Sequence, residues 1–438
     1  MSNHVIVNKL LEQAIEELAA SPSTFAVNPE KDFTRNRKFS LQNLLKMMLT
    51  MEDDVIQEEL FRFFGRNKDA PCKAAYFKQR QKLTDEAMPA LFHLFSNKLP
   101  VKLYNGKYQL IACDGTTARI FRDPNDPDTF FEPSRDSSSG HNLVYINSLF
   151  SILDKRFVDF VIQPGRKQNE HSAFRSMVDS MGKSETPIIY LGDMGYHAYN
   201  NFAHVIENGH YFIIRTNDTN LGRILGRPVD GLFEMDCHVD LILSRSTSIK
   251  RMRHPELADR YRYISATTPF EYIDDEHPEY NMPLRIVRFL LPNGSFENII
   301  TNLPDHEFYL EDFMDLYHMR WNHETAYREI KQVLNLTQFH AKKYKYIVQE
   351  IWARAILYNF STAIINSIVI EKKNTVHKYQ VNFTEAFKNC RDYLRTRGPD
   401  KDNMDVAGLI ARFVEPVRPG RSFARQQKTC RSFSFCYR

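Results

Sequence analysis

Cysteine is scarce in this chain of 438 residues. Its six, Cys72, Cys113, Cys237, Cys390, Cys430 and Cys436, are scattered and form no CxxC pair. Reduced thiols are therefore expected, and a disulfide framework or zinc cluster is not. Long apolar runs are lacking too. The most apolar stretch, AILYNFSTAIINSIVI at 355–370, is shorter than a membrane span needs and carries Asn359, Ser361, Thr362 and Asn366. It reads as a buried helix. The opening MSNHVIVNKLLEQAIEELAA has no basic start followed by an apolar run, so a secretory signal is not expected. A cytoplasmic protein with no membrane partner is. There is no Gly-rich phosphate loop and no internal repeat.

What is present is ordinary for a soluble globular chain: 42% hydrophobic and 26% charged residues. The length suggests about two to four structural units. The net charge is only +4, but it is unevenly placed. Residues 31–82 hold 12 Lys/Arg against 7 Asp/Glu, and residues 416–438 hold six Lys/Arg and no acid. Basic regions at both ends fit a polyanion, above all nucleic acid, and equally fit solubility charge.

Residues 1–100 read as helical. Ser40 is a good N-cap for SLQNLLKMMLTM. CKAAYFKQRQKL follows, with Lys73, Lys78 and Arg80 near Tyr76 and Phe77, a short basic helix suited to DNA backbone contacts. The character changes at about 101. KYQLIACDG is a strand ending in Asp114-Gly115, NLVYINSLFSIL and FVDFVIQP form a hairpin, and TPIIYLGDMGY delivers Asp193 at a strand end. The β-β-β-α-β-α-β order over 101–216 predicts a mixed sheet flanked by helices, an α/β fold. Residues 217–300 look β-rich with no clear helix, with a hairpin around Pro292-Asn293-Gly294. Helices return in 301–372, and 373–438 reads as a helical segment and a basic tail.

Asp114 and Asp193 each follow an apolar strand beside a glycine, where ligands of open α/β sheets bind. Aspartate is also a common turn former at strand ends. The stretch YHMRWNHETAYREIK, 317–331, adds a third acid. As one helix it puts Tyr317, Arg320, Glu324 and Lys331 on a single face about 60° wide. Leu316, Met319, Ala326, Ile330, Val333 and Leu334 then form the packing stripe. HETAY has Tyr327 where a zincin needs His, and His318 and His323 point apart, so neither is expected to bind metal. Asp114, Asp193 and Glu324 offer oxygen ligands only, which suits Mg²⁺ or Mn²⁺. Two such ions could activate a water or a 3′-hydroxyl at a phosphodiester. Arg320 and Lys331 are suited to phosphates.

The row Tyr317-x2-Arg320-x3-Glu324-x6-Lys331 resembles the Y-R-E-K signature of insertion-sequence transposases with a DDE triad. ACDGTT resembles the segment with the first Asp, Asp114, and YLGDMGYHAYNNF the segment with the second, Asp193. FTRNRKFSLQNLLKMML and KAAYFKQRQKL resemble the family's N-terminal DNA-binding helices, and the resemblance spans roughly residues 30–370. It implies an RNase H-like core split by a β-rich insertion, two bound divalent ions, and cleavage of DNA with transfer of its 3′ ends. It also implies double-stranded DNA as partner, through terminal inverted repeats and target, a homodimer in the active complex, and a bacterial protein that is nucleoid-associated when DNA-bound. Tyr317, Arg320 and Lys331 then grip phosphates, and Trp321 could stack on a base or pack in the core. Met194 stands where the family pattern has Arg. An RNase H-like endonuclease without strand transfer and a DNA-binding protein without catalysis remain the alternatives.

Overall fold

The computed structural model describes residues 3–35, 37–133, 139–229, 231, 233–246, 255–332, 338–370 and 379–417. The tail beyond 417, with Cys430 and Cys436, lies outside them. Five helices open the chain: α1 (Asn3–Ala20), α2 (Leu41–Thr50), α3 (Ile56–Phe64), α4 (Lys73–Arg80) and α5 (Ala87–Ser96). Ser40 caps α2 as expected, its hydroxyl accepting the Asn43 N–H at 3.2 Å.

The sheet follows. Its first strands are β1 (Gln109–Ile120), β2 (Phe130–Phe131), β3 (His141–Ser151), β4 (Arg156–Pro164), β5 (Ile188–Gly192) and β6 (Tyr211–Thr216). Helix α6 (Glu170–Met181) joins β4 to β5, and α7 (Tyr199–Glu207) joins β5 to β6. The spatial order is β4-β3-β1-β5-β6. β3 runs antiparallel to β1 and β4, while β1, β5 and β6 run parallel. That order and sense make the core an RNase H-like mixed sheet flanked by helices.

The region after β6 extends the same sheet. β7 (Met235–Ser244), β8 (Tyr261–Tyr263), β9 (Glu279–Leu290) and β10 (Phe296–Thr301) continue it in the order β6-β10-β9-β7-β8. The β9–β10 hairpin turns at Gly294, whose φ of +82° suits glycine. The expectation of no helix here is corrected. Helix α8 (Asp218–Leu225) opens on an Asn217 cap, and Gly226 ends it in the left-handed region. Both signals stand in the sequence, hidden by the strand-like residues around them.

Helices α9 (Leu310–Met319), α10 (Trp321–Gln332), α11 (Tyr344–Ile365) and α12 (Phe383–Arg395) complete the main elements. The single helix expected through 317–331 is two. The Arg320 N–H bonds back to Tyr317 O at 3.1 Å, and the His323 N–H to Arg320 O at 3.0 Å. These three-residue bonds tighten the turn and end α9. The packing stripe divides accordingly. Leu316 joins the core beneath β1, β5 and β6, whereas Ala326 and Ile330 join the helical core. Val333 and Leu334 lie outside the described residues.

The apolar run becomes the second half of α11, buried on nearly every side. Its polar residues Asn359, Thr362 and Asn366 find hydrogen-bond partners. Asn359 bonds both backbone groups of Phe157, at 2.9 and 2.8 Å, and Asn366 donates to Asp154 O at 2.6 Å. α11 packs against α1, α2, α5, α12 and β4, so N-terminal and C-terminal helices share one core. No described helix is long and apolar enough to cross a membrane.

Candidate active site

Side chains alternate along β1. Leu110 and Ala112 face the core of α9, and Ile111 and Cys113 the core of α6. Asp114 therefore points toward the α9–α10 side. It is not at the strand's end as expected, because β3 keeps pairing with β1 as far as Ile120. The parallel neighbour β5 stops pairing at Ala112, which opens the edge beside Asp114. Asp193 follows directly on β5 and caps a short turn, its Oδ1 accepting the Gly195 N–H at 2.8 Å. Glu324 comes from the first turn of α10.

Three separate elements thus bring three carboxylates to one edge of the sheet. Burial pushes the Asp114 carboxyl up to about 6, with Asp193 and Glu324 adding to it and the Gly115 N–H and Arg320 opposing. Among the described residues, no three His, Cys, Asp or Glu groups converge closely enough to hold an ion as they stand. Each acid is tied to a local donor instead. Asp114 Oδ1 accepts the Gly115 N–H at 2.8 Å, and Glu324 Oε1 pairs with Arg320 Nη2 at 3.3 Å. The donor set still fits a hard divalent ion in its chemistry: all oxygen, anionic, and mutually repelling at Asp114.

A family model described as the transposase DDE domain matches residues 105–360, more than half of the chain and all three acids. The chain belongs to that family. It is accordingly a DDE transposase, an enzyme of metal-dependent DNA cleavage and transfer. No curated protein matches the sequence. The chain is also similar to the piggyBac transposase, seen by cryo-EM in a synaptic complex with hairpin DNA, at TM-score 0.45 and 10% identity over 98% of this chain and 88% of that one.

The remaining sequence-predicted residues of this DDE transposase divide. Tyr317 on α9 and Arg320 at the joint are both buried, with the guanidinium 5.6 Å from the Tyr317 ring centre. They line a cavity of about 340 Å³ with Arg215, Phe289 and Glu297. Lys331 turns to β1 and bonds the Thr116 hydroxyl, and burial lowers its pKa against the pull of Asp114. The Trp321 side chain lies outside what is described. Lys73 and Lys78 are exposed on α4, which packs in the helical layer. Arg80 is corrected as a DNA contact: it is 1% exposed and bonds Glu350 at 2.7 Å and Gln349 at 2.9 Å. Its charge is spent inside the protein. Met194 is exposed beside Asp193.

The sequence reading missed four neighbours. The Tyr327 hydroxyl donates to the Asp114 carbonyl at 2.9 Å and shares a bond with Ser148 at 2.6 Å. His323 is fully buried against Phe150 and Tyr327, bonds Ser148 at 2.8 Å, and is pushed down to about 3 by burial and Arg320. These two lock α10 to β1 and β3. Glu170 and Tyr145 stand on the other side of β1, bonded to each other at 3.2 Å. As a first-turn acid of α6, Glu170 looks in sequence like ordinary helix-dipole compensation.

Proposed function

We propose that this protein is the transposase of an insertion sequence. It binds the element's terminal repeats as a dimer in the cytoplasm, cuts DNA at the element's ends, and joins the freed 3′-hydroxyls to target DNA. The proximity of Asp193, Glu324 and Arg320 to Asp114 supports this reading. Asp114, Asp193 and Glu324 would hold two Mg²⁺ or Mn²⁺ ions, which when bound supply activation of the attacking hydroxyl and stabilisation of the leaving oxygen.

The chain's own groups do the rest. Tyr327 and His323 hold the Glu324 helix against the Asp114 strand, so the acids keep their mutual positions. Arg320 and Tyr317 border the cavity beside the acids and grip a DNA phosphate there, with Arg320 exchanging part of its contact with Glu324 for the phosphate. Lys331 adds a point charge on the β1 side. Exposed Lys73 and Lys78 contribute backbone contacts from the helical layer.

The test is strand cleavage and joining on labelled DNA carrying the element's own ends. Wild type and Glu324→Ala are each run with Mg²⁺ and with EDTA. Metal-dependent cutting and joining, reduced at least about 10³-fold in the variant while DNA binding persists, is expected for loss of a catalytic group. Cutting without joining would make the protein an endonuclease. Equal binding by both proteins, with no cutting, would make it a DNA-binding protein alone.

A further inference from the structure

Glu170 reaches the catalytic edge from the helix layer opposite Glu324. Gly115 faces that layer, as the residue after Asp114 on an alternating strand must. A methyl group added at Gly115 would meet the Tyr145 hydroxyl and Glu170 Oε1, the latter at 2.8 Å. One added at Gly195 would lie 3.0 Å from Asp193 Oδ1 and 3.3 Å from Glu170 Oε2. One oxygen of Glu170 therefore rests against the residue after Asp114, and the other shares a recess with the Asp193 carboxylate. Tyr145, Asp193 and Glu170 together fill the space that a side chain at either glycine would enter.

The carboxylate is held there deliberately by its surroundings. Tyr145, on β3, donates to Oε1 at 3.2 Å. The Tyr196 hydroxyl lies beside Glu170, fully buried and without a hydrogen-bond partner among the described residues. Asn169 caps the helix through the Ser172 N–H at 2.9 Å and so fixes the backbone that carries Glu170. Among the described residues, no Lys, Arg or His forms an ion pair with Glu170, whose described partner is a hydroxyl. A partly buried carboxyl group beside a second one, without a basic partner, is costly to ionise unless a cation joins it. A cation in the recess would offset both charges.

We propose that Glu170 is a fourth acidic group of the divalent-ion site, bracketing Asp114 and Asp193 from the side opposite Glu324. The proposal rests on the reading of those three residues as the ion-binding acids. It makes Glu170 a determinant of ion affinity, with Tyr145 as the residue that orients it.

The test is Mn²⁺ binding by the full chain without DNA, followed by electron paramagnetic resonance, for wild type, Glu170→Gln and Asp193→Asn. Thermal melting of each protein checks the fold. Glu170→Gln is expected to weaken Mn²⁺ binding about 10- to 100-fold, the scale for groups that support a metal site. Raising Mn²⁺ should then restore DNA cleavage by the variant. Unchanged affinity in Glu170→Gln, together with loss in Asp193→Asn, would overturn the proposal and leave the triad intact. Unchanged affinity in both would overturn the triad reading itself. Should Glu170→Gln not fold, Glu170→Asp decides, since it keeps the charge but withdraws it by one methylene. Wild-type affinity in that variant would overturn the proposal.

Discussion

The helical layer and the sheet edge that carries the three acids each bury an arginine against a glutamate, and the two pairs behave differently. Arg80 meets Glu350 with both side chains almost wholly buried, at 2% and 6% exposure. Gln349 and the Tyr346 carbonyl add further bonds to the guanidinium. Although burial works against it, Arg80, His340 and Arg354 hold the Glu350 carboxyl well below its usual range. At the edge, Arg320 is as buried, but its partner Glu324 is 36% exposed and the bond is 3.3 Å long. The first pair is a staple between α4 and α11. The second leaves a carboxylate turned to solvent, where a ligand can compete for it.

That contrast can be broken by mutation. Arg80→Met should leave Glu350 buried and unpaired and lower stability by about 3 to 5 kcal/mol, read from urea unfolding. DNA affinity of the folded fraction should not change. A clear loss of DNA affinity at unchanged stability would return Arg80 to the DNA-binding surface.

Acid provides the next largest effect, on the sheet side. His197 bonds Thr216 at 2.7 Å, and burial, with Arg223 and His171, pushes it down to about 4. The folded state then keeps His197 neutral while the unfolded chain takes up a proton. Stability is unaffected above about pH 6.5 and falls as pH drops from there to 4, by about 3 kcal/mol in all. Melting curves of wild type and His197→Gln should diverge in slope over that window and run parallel above it. Parallel curves throughout would show that the ring is accessible to protons in the fold.

Arg320→Met sharpens the comparison from the other side. It should reduce DNA cleavage about 10²-fold, the scale for losing one positioned charge at a reacting centre. Its cost in stability should stay below that of Arg80→Met in the same urea assay. Equal losses of stability would make the two arginines equivalent. The smallest effect is expected for Tyr327→Phe, which removes the bond to the Asp114 carbonyl and costs about 1 kcal/mol in the same unfolding measurement. Its cleavage should need more Mn²⁺, because the register between α10 and β1 loosens.

The sheet was legible because its strands are short apolar runs closed by turn residues, and β5 hands directly to Asp193. The Gly294 hairpin announced itself for the same reason. The break at Arg320 was not legible, since the residue keeps helical angles, φ −53° and ψ −32°, and only the hydrogen bonds shift. Nor was the continuation of β1 past Asp114-Gly115, a dipeptide that reads as a turn but is held extended by pairing to Ser148 and Asn147. The burial of Arg80 depends on Glu350, 270 residues away, which no local pattern reveals. Glu170 was hidden by an innocent local role.

The shared helical core has a consequence for how the protein is made. Asn3 bonds the Ala363 carbonyl across 360 residues, and Arg80 reaches Glu350 across 270. On a ribosome adding about 5 to 20 residues per second, α1 to α5 wait on the order of tens of seconds for α11 to emerge. During that interval Leu11, Leu44, Leu91 and Phe92 have no α11 to close over them. A nascent chain stopped short of residue 344 would lack the helix that covers those faces and would leave them exposed.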